Sequence, residues 1–231
     1  MNFFDQAIIS FLNGFAQASP SFDGLVVFLS NSDLIKGGAV MAVLWAAWFC
    51  KSTDQNKNRS FLLSAILGSL AALFVARVLA HCAPMRIRPA LDLQLHFRAP
   101  SGLPAQSNWT VWSSFPSDHA ALFFALAAGV WCVWRKGGAV LFLYVAVIIC
   151  LPRVYLGIHY PTDIMAGAAI GLGCVAFLSN RAVRSVVASP ILNWGERHPV
   201  LFYFALFLLA FQIATLFWDV RVALSLFDVS V

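Results

Sequence analysis

Two neighbouring apolar runs decide the class of this protein: Ala120–Trp134 reads AALFFALAAGVWCVW, and Gly137–Pro152 reads GGAVLFLYVAVIICLP, with Arg135 and Lys136 between them. A helix needs about 20 mainly apolar residues to cross about 30 Å of hydrocarbon. Each run reaches that length once its polar flanks are included. The pattern therefore predicts two membrane-spanning helices joined by a short basic turn.

The same pattern recurs along the 231 residues, of which 61% are hydrophobic and 11% are charged. Soluble domains average about 45–50% apolar and about 25% charged residues, and a body this small cannot hide so much apolar surface from water. We therefore expect an all-α, integral membrane bundle of about six transmembrane helices. The four other predicted spans are Gly37–Cys50, Phe61–Ala76, Ile164–Asn180 and Pro199–Trp218.

The N-terminus differs from these spans. Met1–Gln17 is apolar but is interrupted by polar residues such as Asp5, and Lys36 is the first basic residue, so the cationic start of a signal peptide is missing. The pattern favours an amphipathic helix that lies in the membrane interface, with Phe22–Leu29 as a second short piece. We expect residues 1–30 to form this interfacial segment.

The basic residues predict the orientation. They concentrate in alternate loops, and such loops usually face the cytoplasm. Nucleic acid is not an expected partner, because no basic face with aromatic platforms is present. We expect an inner-membrane protein whose other face, periplasmic or extracellular, carries residues 82–118 and 153–163. The cytoplasmic loops hold Lys51, Lys57 and Arg59; Arg135 and Lys136; and Arg181, Arg184 and Arg197.

Three polar clusters fall on this outer face, each at the end of a predicted span: His81–Pro89, Phe115–His119 and Arg153–Asp163. Ionisable groups at membrane depth are costly and usually functional or paired. Arg88 and Arg153 carry planar guanidinium groups that suit phosphate oxygens. Ser117 opens a helix, where a hydroxyl and unpaired backbone N–H groups can bind an anion.

Two histidines complete the chemistry. His119 and His159 can supply a nucleophile and a general acid near neutral pH. Asp163 follows His159 by four residues, close enough to accept its ring N–H. This set suits phosphoryl transfer through a phosphohistidine, and it fits a metal site poorly because zinc-ligand spacing is missing.

Each feature also has a structural explanation. Arg153 could extend to the headgroups, Asp118 could be a first-turn helix acid, and a lone histidine is usually a hydrogen-bonded interface residue. Their joint occurrence at three span ends on one face favours a site.

The clusters resemble the signature of the type-2 phosphatidic acid phosphatase superfamily: Lys-x6-Arg-Pro, then Pro-Ser-Gly-His, then Ser-Arg-x5-His-x3-Asp. The similarity covers roughly residues 37–180. The three motifs together are specific, although each alone is weak. The matching residues are Arg88 and Pro89; Pro116, Ser117 and His119; and Arg153, His159 and Asp163.

The resemblance implies a helical bundle with a metal-free and cofactor-free site at the membrane surface. It implies one phosphatase domain over 1–231, with its catalytic core in 37–180 and a further span in 199–218. It also implies roles: His159 attacks phosphorus, Asp163 orients His159, His119 protonates the leaving oxygen and activates water, and Arg88, Arg153 and Ser117 hold the phosphate.

Three positions depart from the signature. His81 replaces its lysine, Asp118 its glycine and Pro152 its serine. His81 and Asp118 remain candidate phosphate-binding residues, with Arg86 or Arg77 as alternatives for the first contact. The Pro-Ser-Asp-His version of the second motif resembles the branch that dephosphorylates undecaprenyl diphosphate in bacterial envelopes.

We therefore expect a metal-independent lipid phosphatase whose partners are membrane lipids and a lipid phosphate or diphosphate, with undecaprenyl diphosphate as the first choice. Phosphatidylglycerophosphate, phosphatidate or lipid A phosphatase, or a phosphotransferase, is the alternative. A non-catalytic lipid or phosphate transporter is a different class, and it fits less well because transporters place polar groups near the midplane.

Overall fold

Helices form every regular element in the part of the chain that the computed structural model describes, residues 2–103 and 112–225. The all-α prediction is confirmed. The helices are α1 Phe3–Asn13, α2 Pro20–Asn31, α3 Ala39–Phe49, α4 Gln55–Cys82, α5 Asp118–Val133, α6 Arg135–Tyr144, α7 Leu151–Tyr155, α8 Pro161–Leu178, α9 Arg181–Arg197, α10 Pro199–Ala214 and α11 Trp218–Ser225. Short π-helical turns join α2 to α3 (Leu34–Gly38) and α6 to α7 (Val145–Cys150).

Within these residues, three helical stretches are long and apolar enough to cross a membrane: Gln55–Cys82, Arg135–Tyr155 and Pro161–Ser179. The helices α2 and α3 reach the required length as a pair, bent by 63°, and α5 and α10 are shorter apolar helices. The predicted spans correspond to these six elements, and the protein is an integral membrane protein. Phe22–Leu29, expected in the interface, forms the first arm of the bent pair.

Glycines bring α5 and α8 into close contact. A Cβ atom on Gly167 would lie 2.4 Å from the Ser117 carbonyl oxygen, and one on Gly171 would lie 2.3 Å from that of Ala121. Small residues four positions apart allow helices to approach this closely in a membrane. The N-termini of α5 and α8 consequently lie side by side, and the Ser117 N–H donates to the Asp163 carbonyl at 3.1 Å.

The basic loops meet at the other end of the bundle. The Arg184 guanidinium lies 3.8 Å from the centre of the Phe61 ring, and the Asn56 amide donates to Glu196 at 2.9 Å. Helix α4 starts at this end and, with 28 residues, extends about 42 Å toward the polar clusters. The bundle therefore separates the basic loops from the candidate site.

Candidate active site

The polar clusters from distant parts of the chain line one cavity of about 540 Å³. Three elements supply its chemistry: the segment after α4, the start of α5 and the α7–α8 turn. Cluster residues in its wall are Arg88, Pro116, Asp118, His119, Arg153 and His159.

His159 is held with one ring nitrogen available for chemistry. Its Nδ1 lies 2.8 Å from the Ser114 carbonyl oxygen, and because a carbonyl only accepts, Nδ1 carries the proton and Nε2 the lone pair. Burial of the ring, reinforced by Arg88 and Arg153, lowers the pKa of His159 well below 6.5. The imidazole is therefore neutral, as a nucleophile must be.

Asp163 lies behind His159 rather than in hydrogen-bond contact with it. The distance from its Oδ2 to His159 Nδ1 is 3.9 Å, too long for a hydrogen bond. Its carboxylate accepts from Arg86 at 2.5 Å and from the Tyr160 N–H at 2.8 Å. The sequence predicts that the ring N–H of His159 donates to Asp163, but in the structure it donates to the Ser114 backbone carbonyl. A sequence motif does not predict this contact, because every residue has a backbone carbonyl.

Arg153 and His119 face each other in the cavity wall. Arg153 Nη2 lies 2.5 Å from His119 Nε2, and a guanidinium can only donate, so this nitrogen of His119 accepts. The buried Nε of Arg153 has no acceptor within the described residues. A buried guanidinium with a donor to spare suits a phosphate oxygen.

Arg88 and Arg86 occupy different surroundings. Arg88 donates to the Ile158 carbonyl at 2.9 Å and lines the cavity, where burial lowers the pKa of its guanidinium while Asp118 opposes that shift. Arg86 instead donates to Asp5 at 2.6 Å and to Asp163 at 2.5 Å. We name Asp5, Arg86, Thr162 and Asp163 the Asp5 cluster; in it Thr162 also donates to Asp5, at 2.7 Å.

Of the remaining candidates, His81 and Ser117 lie outside the cavity lining, whereas Arg77 belongs to it. His81 is exposed, and its ring packs edge-on against Trp112 at 5.0 Å between centres. Arg77, one turn earlier, lines the cavity and pairs with Asp118 at 2.6 Å. Ser117 is fully buried, and its hydroxyl caps α5 by accepting from the Ala120 N–H at 3.4 Å.

Sequence reasoning missed Asp33 and Lys36, which line the same cavity from the bend between α2 and α3. It also treated Asp5 as a mere interruption of an apolar run. The available signal was an isolated charge in an apolar segment.

Across the described part of the chain, no three His, Cys, Asp or Glu side chains group together as metal ligands.

The sequence is similar to known proteins. The model of the PAP2 superfamily matches residues 61–186. YbjG of Escherichia coli, by its name a candidate undecaprenyl-diphosphatase, is 29% identical over 175 residues, 74% of this chain and 79% of its own. A lipid A 4'-phosphatase of Bacteroides thetaiotaomicron is 47% identical over 58 residues, 25% of this chain and 26% of its own.

Among solved structures, a transmembrane PAP2-type phosphatidylglycerolphosphate phosphatase from Bacillus subtilis superposes with a TM-score of 0.47 at 23% identity. The match covers 76% of this chain and 82% of that one.

Proposed function

This chain belongs to the PAP2 superfamily of membrane lipid phosphatases, and from that premise we propose that it hydrolyses a lipid diphosphate through a phosphohistidine, with undecaprenyl diphosphate as the first candidate. The observation that carries the proposal is the His159 geometry. Its Nδ1–H is held by Ser114, which leaves the unprotonated Nε2 in a cavity that also holds Arg88, Arg153 and His119.

In the first step, His159 Nε2 forms a bond to the terminal phosphorus and the bond from phosphorus to the leaving oxygen breaks. Protonated His119 donates its proton to that oxygen. The substrate phosphate takes the Arg153 hydrogen bond that His119 accepts in the free protein, so His119 can hold this proton. Arg88 and Arg153 stabilise the charge on the transferred group.

The phosphorylated His159 ring is cationic while Nδ1 keeps its proton. The Asp163 carboxylate, 3.9 Å from Nδ1, stabilises that charge without a direct hydrogen bond. In the second step, His119 removes a proton from water, the water oxygen attacks phosphorus, and the phosphorus–nitrogen bond breaks to release inorganic phosphate.

The preference for undecaprenyl diphosphate is supported by the likeness to YbjG across three quarters of the chain. A lipid A phosphate is the second candidate, supported by the short but closer match to the lipid A 4'-phosphatase. Both substrates present phosphate at the membrane surface, where the position of the motif residues at the ends of apolar helices leads us to expect the site.

Phosphate release from a panel of lipids by the purified protein in detergent tests the proposal. Undecaprenyl diphosphate should be hydrolysed fastest, and the activity should persist in EDTA. Vanadate should inhibit the reaction, because it mimics five-coordinate phosphorus. Loss of activity in chelator that magnesium restores would contradict the metal-independent mechanism. Faster release from lipid A would select the second candidate.

We further propose that the cavity opens on the periplasmic face, because the basic loops lie at the other end of α4. In a cysteine-free background, an impermeant thiol reagent applied to spheroplasts should label a cysteine at exposed Leu93. A cysteine at exposed Lys57, near the basic loops, should react only after lysis. The reverse pattern would invert the topology.

A further inference from the structure

The cavity has a second group of cations, which lie outside the three signature motifs. Lys36 lines it from the bend between α2 and α3. The Lys36 side chain is 7% exposed, and its Nζ lies 3.2 Å from Asp33 Oδ1. Burying an ammonium group is costly unless it is paired, and a buried cation in a membrane protein usually has a function.

The bend that presents Lys36 is held by contacts with other helices. A Cβ atom on Gly37 would lie 2.1 Å from the Ala214 carbonyl oxygen, so a larger residue would push α10 away. The Tyr144 hydroxyl donates to the Ile35 carbonyl at 2.6 Å. The backbone here forms a π-helical turn, Leu34–Gly38, a feature often found at functional sites. Lys36 is therefore placed by the fold.

Arg77 on α4 is the matching cation. It lines the cavity and pairs with Asp118 at 2.6 Å, much as Lys36 pairs with Asp33. In each pair a carboxylate orients the cation in the cavity wall, and the Arg77 guanidinium carries more N–H donors than its contact with Asp118 uses. The cavity thus contains Lys36 and Arg77 in addition to the two arginines near His159.

The cavity is also larger than one phosphate requires. If each of the five heavy atoms of a phosphate is counted as a water of about 30 Å³, one phosphate fills less than a third of the 540 Å³. A second phosphate would bring negative charge and further acceptor oxygens to the same space. Both the volume and the additional cations match that requirement.

We propose that Lys36 and Arg77 bind the phosphate that is not transferred, which makes the site selective for lipid diphosphates over lipid monophosphates. The inference rests on the proposed phosphatase function and specifies its substrate class. A monophosphate lacks the second phosphate whose oxygens Lys36 and Arg77 would bind. Their contribution should therefore appear in the ratio of the activity on the diphosphate to the activity on the monophosphate.

The test uses farnesyl diphosphate and farnesyl monophosphate, which share one prenyl group. For Lys36→Gln and for Arg77→Gln, the ratio of kcat/KM for diphosphate to that for monophosphate should fall about 10- to 100-fold, the value of one lost charge-assisted hydrogen bond. Lys57→Gln, exposed near the basic loops, is the control and should leave the ratio unchanged.

Arg77 is one-third exposed, so Arg77→Gln should fold even if the substitution at the buried Lys36 does not. A ratio within threefold of wild type in Arg77→Gln would overturn the inference while leaving the phosphatase function in place. A wild-type protein that hydrolyses neither substrate nor any lipid of the panel would instead refute the function.

Discussion

Arg86 and Arg88 are two residues apart in the segment after α4, but their guanidinium groups meet different surroundings. Arg86 lies among the acceptors of the Asp5 cluster, with two carboxylates within 2.6 Å and the Tyr160 ring 4.0 Å away. Arg88 contacts a backbone carbonyl and faces the cavity. The Asp5 cluster ties α1 to the start of α8, whereas the cavity brings together cations and histidines around open space.

The difference shows how the same side chain serves stability or chemistry. Two buried carboxylates already balance the charge of Arg86, so a phosphate would have to displace them. Breaking that arrangement would leave carboxylates buried without a cation. In the cavity, by contrast, the buried Nε of Arg153 has no acceptor among the described residues. We therefore expect substitutions in the cavity to lower activity and substitutions in the Asp5 cluster to lower stability.

The largest effect is expected at His159. His159→Ala removes the nucleophile, which no other described residue of the cavity wall replaces in the same position, and should reduce kcat by roughly 10⁴- to 10⁶-fold. Thermal unfolding in detergent should show that the variant remains folded. His96→Asn, an exposed position with a left-handed backbone that asparagine tolerates, is the control. Substantial activity in a folded His159→Ala protein would rule out the covalent mechanism.

His119→Ala should have the next largest effect. General acid–base catalysis typically contributes about 10²–10⁴-fold, and Arg153 can still hold the phosphate. The loss in kcat/KM, which reflects formation of the phosphohistidine and not its hydrolysis, should be smaller for a substrate whose leaving group needs no protonation, such as p-nitrophenyl phosphate. An equal loss on both substrates would indicate that His119 serves binding instead.

Arg86→Gln tests the Asp5 cluster directly. Removing one partner of a buried ion pair costs about 3–5 kcal/mol, and we expect the lower end because the Arg86 side chain is 26% exposed. The free energy of unfolding in detergent measures this, and Asp5→Asn should also destabilise the fold. Arg98, which is exposed in the same connection between α4 and α5, provides the control, and Arg98→Gln should leave the free energy of unfolding unchanged. Unchanged stability with a raised KM would place Arg86 in the phosphate site and break the comparison.

The smallest effect concerns pH. An unfolded histidine titrates near 6.5, whereas burial lowers the pKa of folded His159 well below that value. Between the two pKa values the unfolded chain binds a proton that the folded chain does not. The His159 contribution to stability is therefore complete above about pH 6.5 and is lost as pH falls, by at most about 1.4 kcal/mol per pH unit.

Unfolding measured from pH 5 to 7.5 should show a shallower dependence in His159→Ala than in wild type. An identical slope in both proteins would mean that His159 is charged in the folded state and is held by Asp163.

Several features follow from the sequence alone because they depend on local composition or short spacing. Lipid provides no hydrogen-bond partners, so long apolar runs must form helices, and the six runs do. The site motifs can also be recognised without knowledge of tertiary contacts. They depend on the four-residue spacing of His159 and Asp163 and on the position of Arg153 and His119 at the ends of predicted spans. The family follows from the same short patterns.

Tertiary structure alone decided which of the candidate side chains share the cavity. Arg86 contacts Asp5 across 81 positions of sequence, and His159 donates to a backbone carbonyl 45 residues away. Lys36 enters the cavity wall because Gly37 allows α10 to approach, and His81 packs on Trp112 while Arg77 takes the inner position. Such contacts depend on how distant helices pack together, and a pattern within one segment carries no information about the partner it will meet.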